Sequence, residues 1–106
     1  MSISDKPWGS ISASDYKDAA AYCDACLIDA NEPGKPKTKD ACKLPYKEPG
    51  GAVNRNGVHA AVAVLAGARG GVQASSADKR KAARKLASLY AEMKETLPDS
   101  VKRMAQ

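Results

Sequence analysis

Three cysteines and a single histidine are the residues of this chain best suited to chemistry, and their spacing limits what they can do. Cys23 and Cys26 stand at C-x-x-C spacing. With Cys42 and His59 they could supply a Cys3His zinc site, because zinc takes four soft or borderline donors in a tetrahedron. A strong zinc pattern, however, has two local ligand pairs. Here Cys42 and His59 have sixteen residues between them, so buried small hydrophobes are the favoured reading of the cysteines. An odd number of cysteines without a secretion signal also argues for free thiols over a disulfide framework. The expectation is no metal and no cofactor.

His59 is also the one conceivable catalytic base, since Ser-His-acid and Cys-His hydrolysis both run through an imidazole. Nothing in the sequence sets a nucleophile beside it. Its place after Val58 puts it at the margin of an apolar stripe, where a hydrogen-bonded boundary histidine is the usual occupant. The glycine-rich run Gly67-Ala68-Arg69-Gly70-Gly71 follows a helical pattern instead of a strand and lacks the Gly-Lys-Ser/Thr ending of a phosphate loop. These patterns exclude nucleotide hydrolysis and leave a non-catalytic binding protein.

Charge indicates what such a protein could bind. The net charge of +5 is split: Met1 to Glu32 carries two basic and six acidic residues, whereas Ala60 to Gln106 carries nine basic and four acidic. A polarised chain fits a charged partner, either an acidic protein surface or nucleic acid. Lys79, Arg80, Lys81, Arg84 and Lys85 form the densest cluster, with Lys81, Arg84 and Lys85 on one helical face. Aromatic residues for base stacking are not interleaved with them, which favours a solvated face or an acidic protein over nucleic acid. Lys35, Lys37 and Lys39 form a second basic stretch, and Trp8 is the obvious anchor of the N-terminal segment.

These residues must be positioned by elements that the same sequence specifies. At 106 residues the chain fits one domain, and an Ala-rich composition without Phe suits closely packed helices. The prediction is a mainly α, small α+β fold: an antiparallel helical hairpin, a short N-terminal helix and a two-stranded β-hairpin, with extended arms. Residues 1–13 form the N-terminal arm, 14–97 the helical domain, and 98–106 a tail. Ser14 and Asp15 offer an N-cap for the first helix. Cys26-Leu27-Ile28 can pair with Lys43 to Lys47, while 31–40, rich in Lys and Pro, reads as a mobile loop. Pro49-Gly50-Gly51 makes a turn. Asn54 then caps a second helix with the stripe Val58, Ala61, Val62 and Leu65, which the following glycines stop. Ser75 and Asp78 form a capping box ahead of a third helix buried along Ala82, Leu86, Leu89, Tyr90 and Met93, and Pro98 ends it. No apolar run reaches the roughly 20 residues of a membrane span, so no membrane partner is expected and the chain reads as intracellular.

Several blocks carry a family resemblance. Lys43-Leu44-Pro45, Glu48-Pro49-Gly50-Gly51, Asn54 to Ala61, Leu65 to Val72 and Lys81 to Tyr90 occur in the order seen in a small domain of unknown function. The chain resembles that domain from about Asp15 to Tyr90. The domain recurs in head-gene products of tailed bacteriophages, often beside or fused to prohead-protease and capsid-associated proteins. Cys26-Leu27-Ile28-Asp29 looks like its usual beginning, whereas Cys23 and Cys42 depart from its pattern. The resemblance implies a place in the phage head pathway: a virion component, active in the host cytoplasm during assembly, with the major capsid protein as partner and self-association on the lattice. Each block has a structural explanation of its own except Arg69. At the end of the second helix Arg69 could cap carbonyls, pair with Asp29 or Glu48, or face a partner. The segments expected to touch the capsid are the Trp8 arm, the loop lysines Lys35, Lys37 and Lys39, Arg69, and the face of Lys81, Arg84 and Lys85.

Overall fold

The computed structural model describes residues 3–67 and 70–106. They form a small α+β fold with four helices and two two-stranded sheets among the described residues. In chain order these are β1 (Ile3–Ser4), α1 (Ala19–Asp24), β2 (Cys26–Asp29), β3 (Cys42–Pro45), β4 (Val53–Asn54), α2 (Arg55–Leu65), α3 (Ser76–Met93) and α4 (Asp99–Ala105).

The two long helices start and face as their sequences require. Asn54 caps α2 by accepting the Gly57 N–H, and Val58, Ala61, Val62 and Leu65 are all buried. Ser75 caps α3 by accepting the Asp78 N–H, and Ala82, Ala83, Leu86, Leu89, Tyr90 and Met93 face the core. α3 packs against α2, α4 and β2, which makes it the central support of the molecule. Its end differs from expectation. Lys94 takes a left-handed conformation with φ 59°, so the helix closes four residues before Pro98, and Pro98 instead opens α4. The segment read as a tail is therefore a docked helix: Val101 is fully buried, and Arg84 Nε donates to the Ala105 carbonyl at 2.9 Å.

The N-terminal half departs further. β1 lies parallel to β4, with Ile3 opposite Val53 and Ser4 opposite Asn54, so the first residues described are part of the body rather than a free arm. The cap expected at Ser14 and Asp15 serves a separate 3-10 turn, Ala13–Asp15, in which the Ser12 N–H donates to the Asp15 carboxylate at 2.8 Å. With Asp15 engaged there, α1 starts at the next acidic residue, Asp18, which accepts the Ala21 N–H. β2 and β3 pair antiparallel, with Cys26 opposite Pro45, Ile28 opposite Lys43 and Asp29 opposite Cys42. This strand carries a local cost: Leu44 sits at φ 61°, a region that disfavours bulky residues, while its side chain is buried in the core. The loop 31–40 is braced at its base by Asn31, whose side chain accepts the Thr38 N–H at 2.9 Å and donates to Asp29 at 2.8 Å.

Candidate functional site

The packing of α3 across β2 leaves a cleft of about 260 Å³ lined by Cys26, Leu27, Ile28, Asp29, Tyr46, Asp78, Lys81 and Lys85. Leu27, Ile28 and Tyr46 give it apolar walls, and Lys81 and Lys85, one helical turn apart, place two exposed ammonium groups at its rim. Among the described residues neither lysine takes part in an ion pair. The arrangement suits an acidic group carried on an apolar body. Asp29 and Asp78 share the lining; from sequence they read as a possible partner of Arg69 and as part of a capping box, not as binding residues. Asp78 could have been found, since 78, 81 and 85 fall on one helical face, whereas Asp29 depends on strand pairing.

The other basic candidates are largely used within the chain. Lys37 pairs with Asp29, and this hydrogen-bonded ion pair, helped by the Asn31 N–H, pulls the Asp29 carboxyl down to about 2. Lys39 donates to the Ala13 carbonyl at 2.8 Å, tying the loop to the N-terminal turn. Lys35 pairs with Glu32 at 2.8 Å, both side chains being 69% exposed, so that pair contributes little. Arg84 holds the end of α4, as described. Lys37 and Lys39 thus act as internal ties, whereas Lys35 stays exposed, because the acidic N-terminal third folds back onto the Lys-rich segment that follows it. Arg69 lies outside the described residues.

Trp8 anchors the N-terminal segment to the body of the chain itself. Its ring lies against the first turn of α2, where a Cβ on Gly57 would stand 3.0 Å from the indole. Only glycine at this position permits such an approach. Beside the ring runs a groove of about 320 Å³ lined by Lys43, Leu44, Pro45, Ala60, Ala61, Val64 and Val72. Asn54 fixes this corner. It is fully buried, and its Nδ2 donates to the Lys6 carbonyl at 3.0 Å and to Glu48 at 2.8 Å while Oδ1 caps α2.

The cysteines and His59 do not converge on one site. Cys23 and Cys42 are joined in a disulfide with Cα atoms 5.4 Å apart, contrary to the expectation of free thiols. Sequence proximity could not indicate this; α1 folds over the β2–β3 pair and brings Cys23 to the residue opposite Asp29. Cys26 is free, half-buried and turned into the cleft. Burial pushes its thiol up to about 11, against the opposing effect of a Tyr22 hydrogen bond, so it stays protonated at neutral pH and is a poor nucleophile. His59 Nε2 lies 2.7 Å from Glu95 Oε1, on the far side of α2, and Arg55 bridges the same Glu95 to Asp5. The Cys3His grouping is thus dispersed, and His59 faces the Glu95 carboxylate.

His59 first, then Arg55, hold the Glu95 carboxyl below the ordinary carboxylate value of 4.5. A group depressed in this way adds stability that is complete above its unfolded pKa and is lost as pH falls through the folded value. Glu95→Gln should therefore flatten the stability decline below about pH 4.5 while costing most at neutral pH, as read from urea midpoints across a pH series.

No protein-family model, no curated protein and no solved structure matches this chain. Among the described residues, no helix is long and apolar enough to cross a membrane.

Proposed function

We propose that the chain is a non-enzymatic accessory protein of the tailed-phage head that binds the capsid lattice as a decoration or minor capsid subunit. Its proposed location is the virion, reached from the host cytoplasm during assembly. In this reading α2 and α3 act as an antiparallel helical hairpin, the rigid body that carries the contact surface. The cleft between β2 and α3 carries the proposal. Lys81 and Lys85 present two ammonium groups, without an ion-pair partner among the described residues, above Leu27, Ile28 and Tyr46, and an acidic side chain on an apolar segment of the major capsid protein would satisfy both parts. Repetition over a lattice converts modest single-site affinity into avidity, so a cleft of this size is sufficient. The resemblance of the sequence blocks to the phage head domain supports the pathway, and the lining of the cleft supports the contact.

Two measurements test this. Mass spectrometry with densitometry on purified virions should find the chain at a fixed copy number, and absence from mature particles rejects a decoration role. In a pelleting assay with capsids, Lys81→Glu with Lys85→Glu should lower affinity by at least about tenfold, since a like charge replaces the attraction at the centre of the contact. Unchanged pelleting of a folded double variant would move the contact away from the cleft.

A second reading, association with nucleic acid in the head, draws on a different feature. Lys79, Arg80 and Arg103 line a depression where α3 and α4 meet, extending the basic face beyond the cleft. If these three with Lys81 and Lys85 all met phosphates, log K would fall against log salt with a slope of about −4.5. A gel shift that shows no complex at low salt removes this reading.

A further inference from the structure

The disulfide has a neighbourhood that a structural staple does not require. The sulfurs of Cys23 and Cys42 and a carboxylate oxygen of Asp29 all lie within 4.8 Å of one another. The Asn31 amide sits over the group, with Nδ2 3.5 Å from Cys23 Sγ and 3.3 Å from Cys42 Sγ. The Thr38 carbonyl is 3.6 Å from Cys23 Sγ. Both cysteines are buried, while Asp29 opens to solvent and to Lys37. Two sulfurs, a carboxylate and an amide thus converge from α1, β2, β3 and the base of the loop.

We propose that Cys23, Asp29 and Cys42 form a redox-gated binding site for a thiophilic divalent cation, zinc being the natural occupant. In the oxidised chain the sulfurs are bonded to each other and offer no thiolate. A dithiol reductant supplies two electrons and two protons, leaves as its own disulfide, and converts the pair to two thiols. A divalent cation then displaces those two protons and binds both thiolates and the Asp29 carboxylate, and water or an amide oxygen completes four-coordination. Lys37 leaves Asp29 for solvent in the same step. That exchange is cheap, because the Lys37 side chain is 41% exposed. Asn31 has a second role here: its Nδ2, bonded to Asp29 and within 3.5 Å of both sulfurs, is placed to donate to a thiolate and so help hold the ligands. The donor set differs from the one suggested by C-x-x-C spacing, since Cys26 and His59 take no part.

The experiment uses the full chain, reduced with a phosphine, which becomes its oxide and leaves no competing thiols, and titrated without oxygen with Co2+ or Cd2+. The expected result is a sulfur-to-metal charge-transfer band saturating at one metal per chain, and no band from the oxidised chain. Cys26→Ser and His59→Ala should titrate as the parent does. Asp29→Asn, which keeps both sulfurs, should weaken binding by at least about tenfold. If the reduced chain unfolds, return of its circular dichroism on adding metal supports the site. A reduced chain with no band, whether folded or not, overturns the proposal, as does a band lost in Cys26→Ser or His59→Ala but kept in Cys23→Ser. Capsid binding plays no part in the readout, so the outcome is independent of the head-protein reading.

Discussion

Reducing the Cys23–Cys42 disulfide without added metal should lower the thermal midpoint by roughly 12–20 °C, the largest change any single bond in this molecule should produce. The bridge spans nineteen positions in sequence. Closing a loop of that size removes unfolded-state entropy worth about 3 kcal/mol, a large part of the stability open to a domain this small. The folded state has no obvious substitute at this corner. α1 is short and buries only Cys23 along its own length, so its hold on the β2–β3 pair depends on that side chain. The Cys23→Ser, Cys42→Ser double variant should show the same loss in calorimetry, unaffected by reductant or metal. Equal midpoints for oxidised and reduced parent chains in the presence of a chelator would show that the bridge contributes no net stability.

Asn54→Ala should cost about 2–3 kcal/mol, seen as a shift of the denaturant midpoint at unchanged slope. The substitution removes an N-cap, worth about 1 kcal/mol, and leaves the Gly57 N–H without its acceptor. It also strips the Lys6 carbonyl and Glu48 of their shared donor, a fully buried amide whose two partners are only partly buried. Asn54→Asp separates the two effects. It keeps the cap but loses both donated bonds and sets a second carboxylate beside Glu48, so it should destabilise nearly as much as alanine at neutral pH and recover as the carboxylates protonate. If Asn54→Asp behaves like the parent, the cap alone matters. Loss of this residue should also loosen Trp8, because the Lys6 carbonyl that Asn54 holds lies two residues before the indole; Trp fluorescence would report it.

The residues that proved consequential were not equally visible beforehand. The α2 and α3 faces follow from 3.6-residue periodicity and from Asn54 and Ser75 as caps, because both signals act within a few residues of chain. Pairing of β2 with β3 was also legible, since apolar runs and turn residues bracket both strands. The Lys81 and Lys85 face was legible for the same local reason, but the apolar wall opposite it was not. Leu27 and Tyr46 reach the cleft only because α3 crosses β2. Pro98 was a helix boundary of the wrong kind: the chain had already turned at Lys94, so the proline opens α4 in place of closing α3.

By itself, then, the sequence determined the elements whose stabilisation is local: two capped amphipathic helices, the glycine and proline turns, and a charge pattern that is acidic first and basic afterwards. Tertiary structure alone decided which charges remain available and which cysteines meet. Lys37 and Lys39 are drawn inward by Asp29 and Ala13, Trp8 is seated on Gly57, and Cys23 bonds to Cys42 instead of to its sequence neighbour Cys26. All of these contacts except the Lys37–Asp29 pair, eight positions apart, join segments far apart in the chain. Such contacts form only when burial of the shared core offsets the entropy of closing the loops between them, and no short window of sequence contains both sides of that balance.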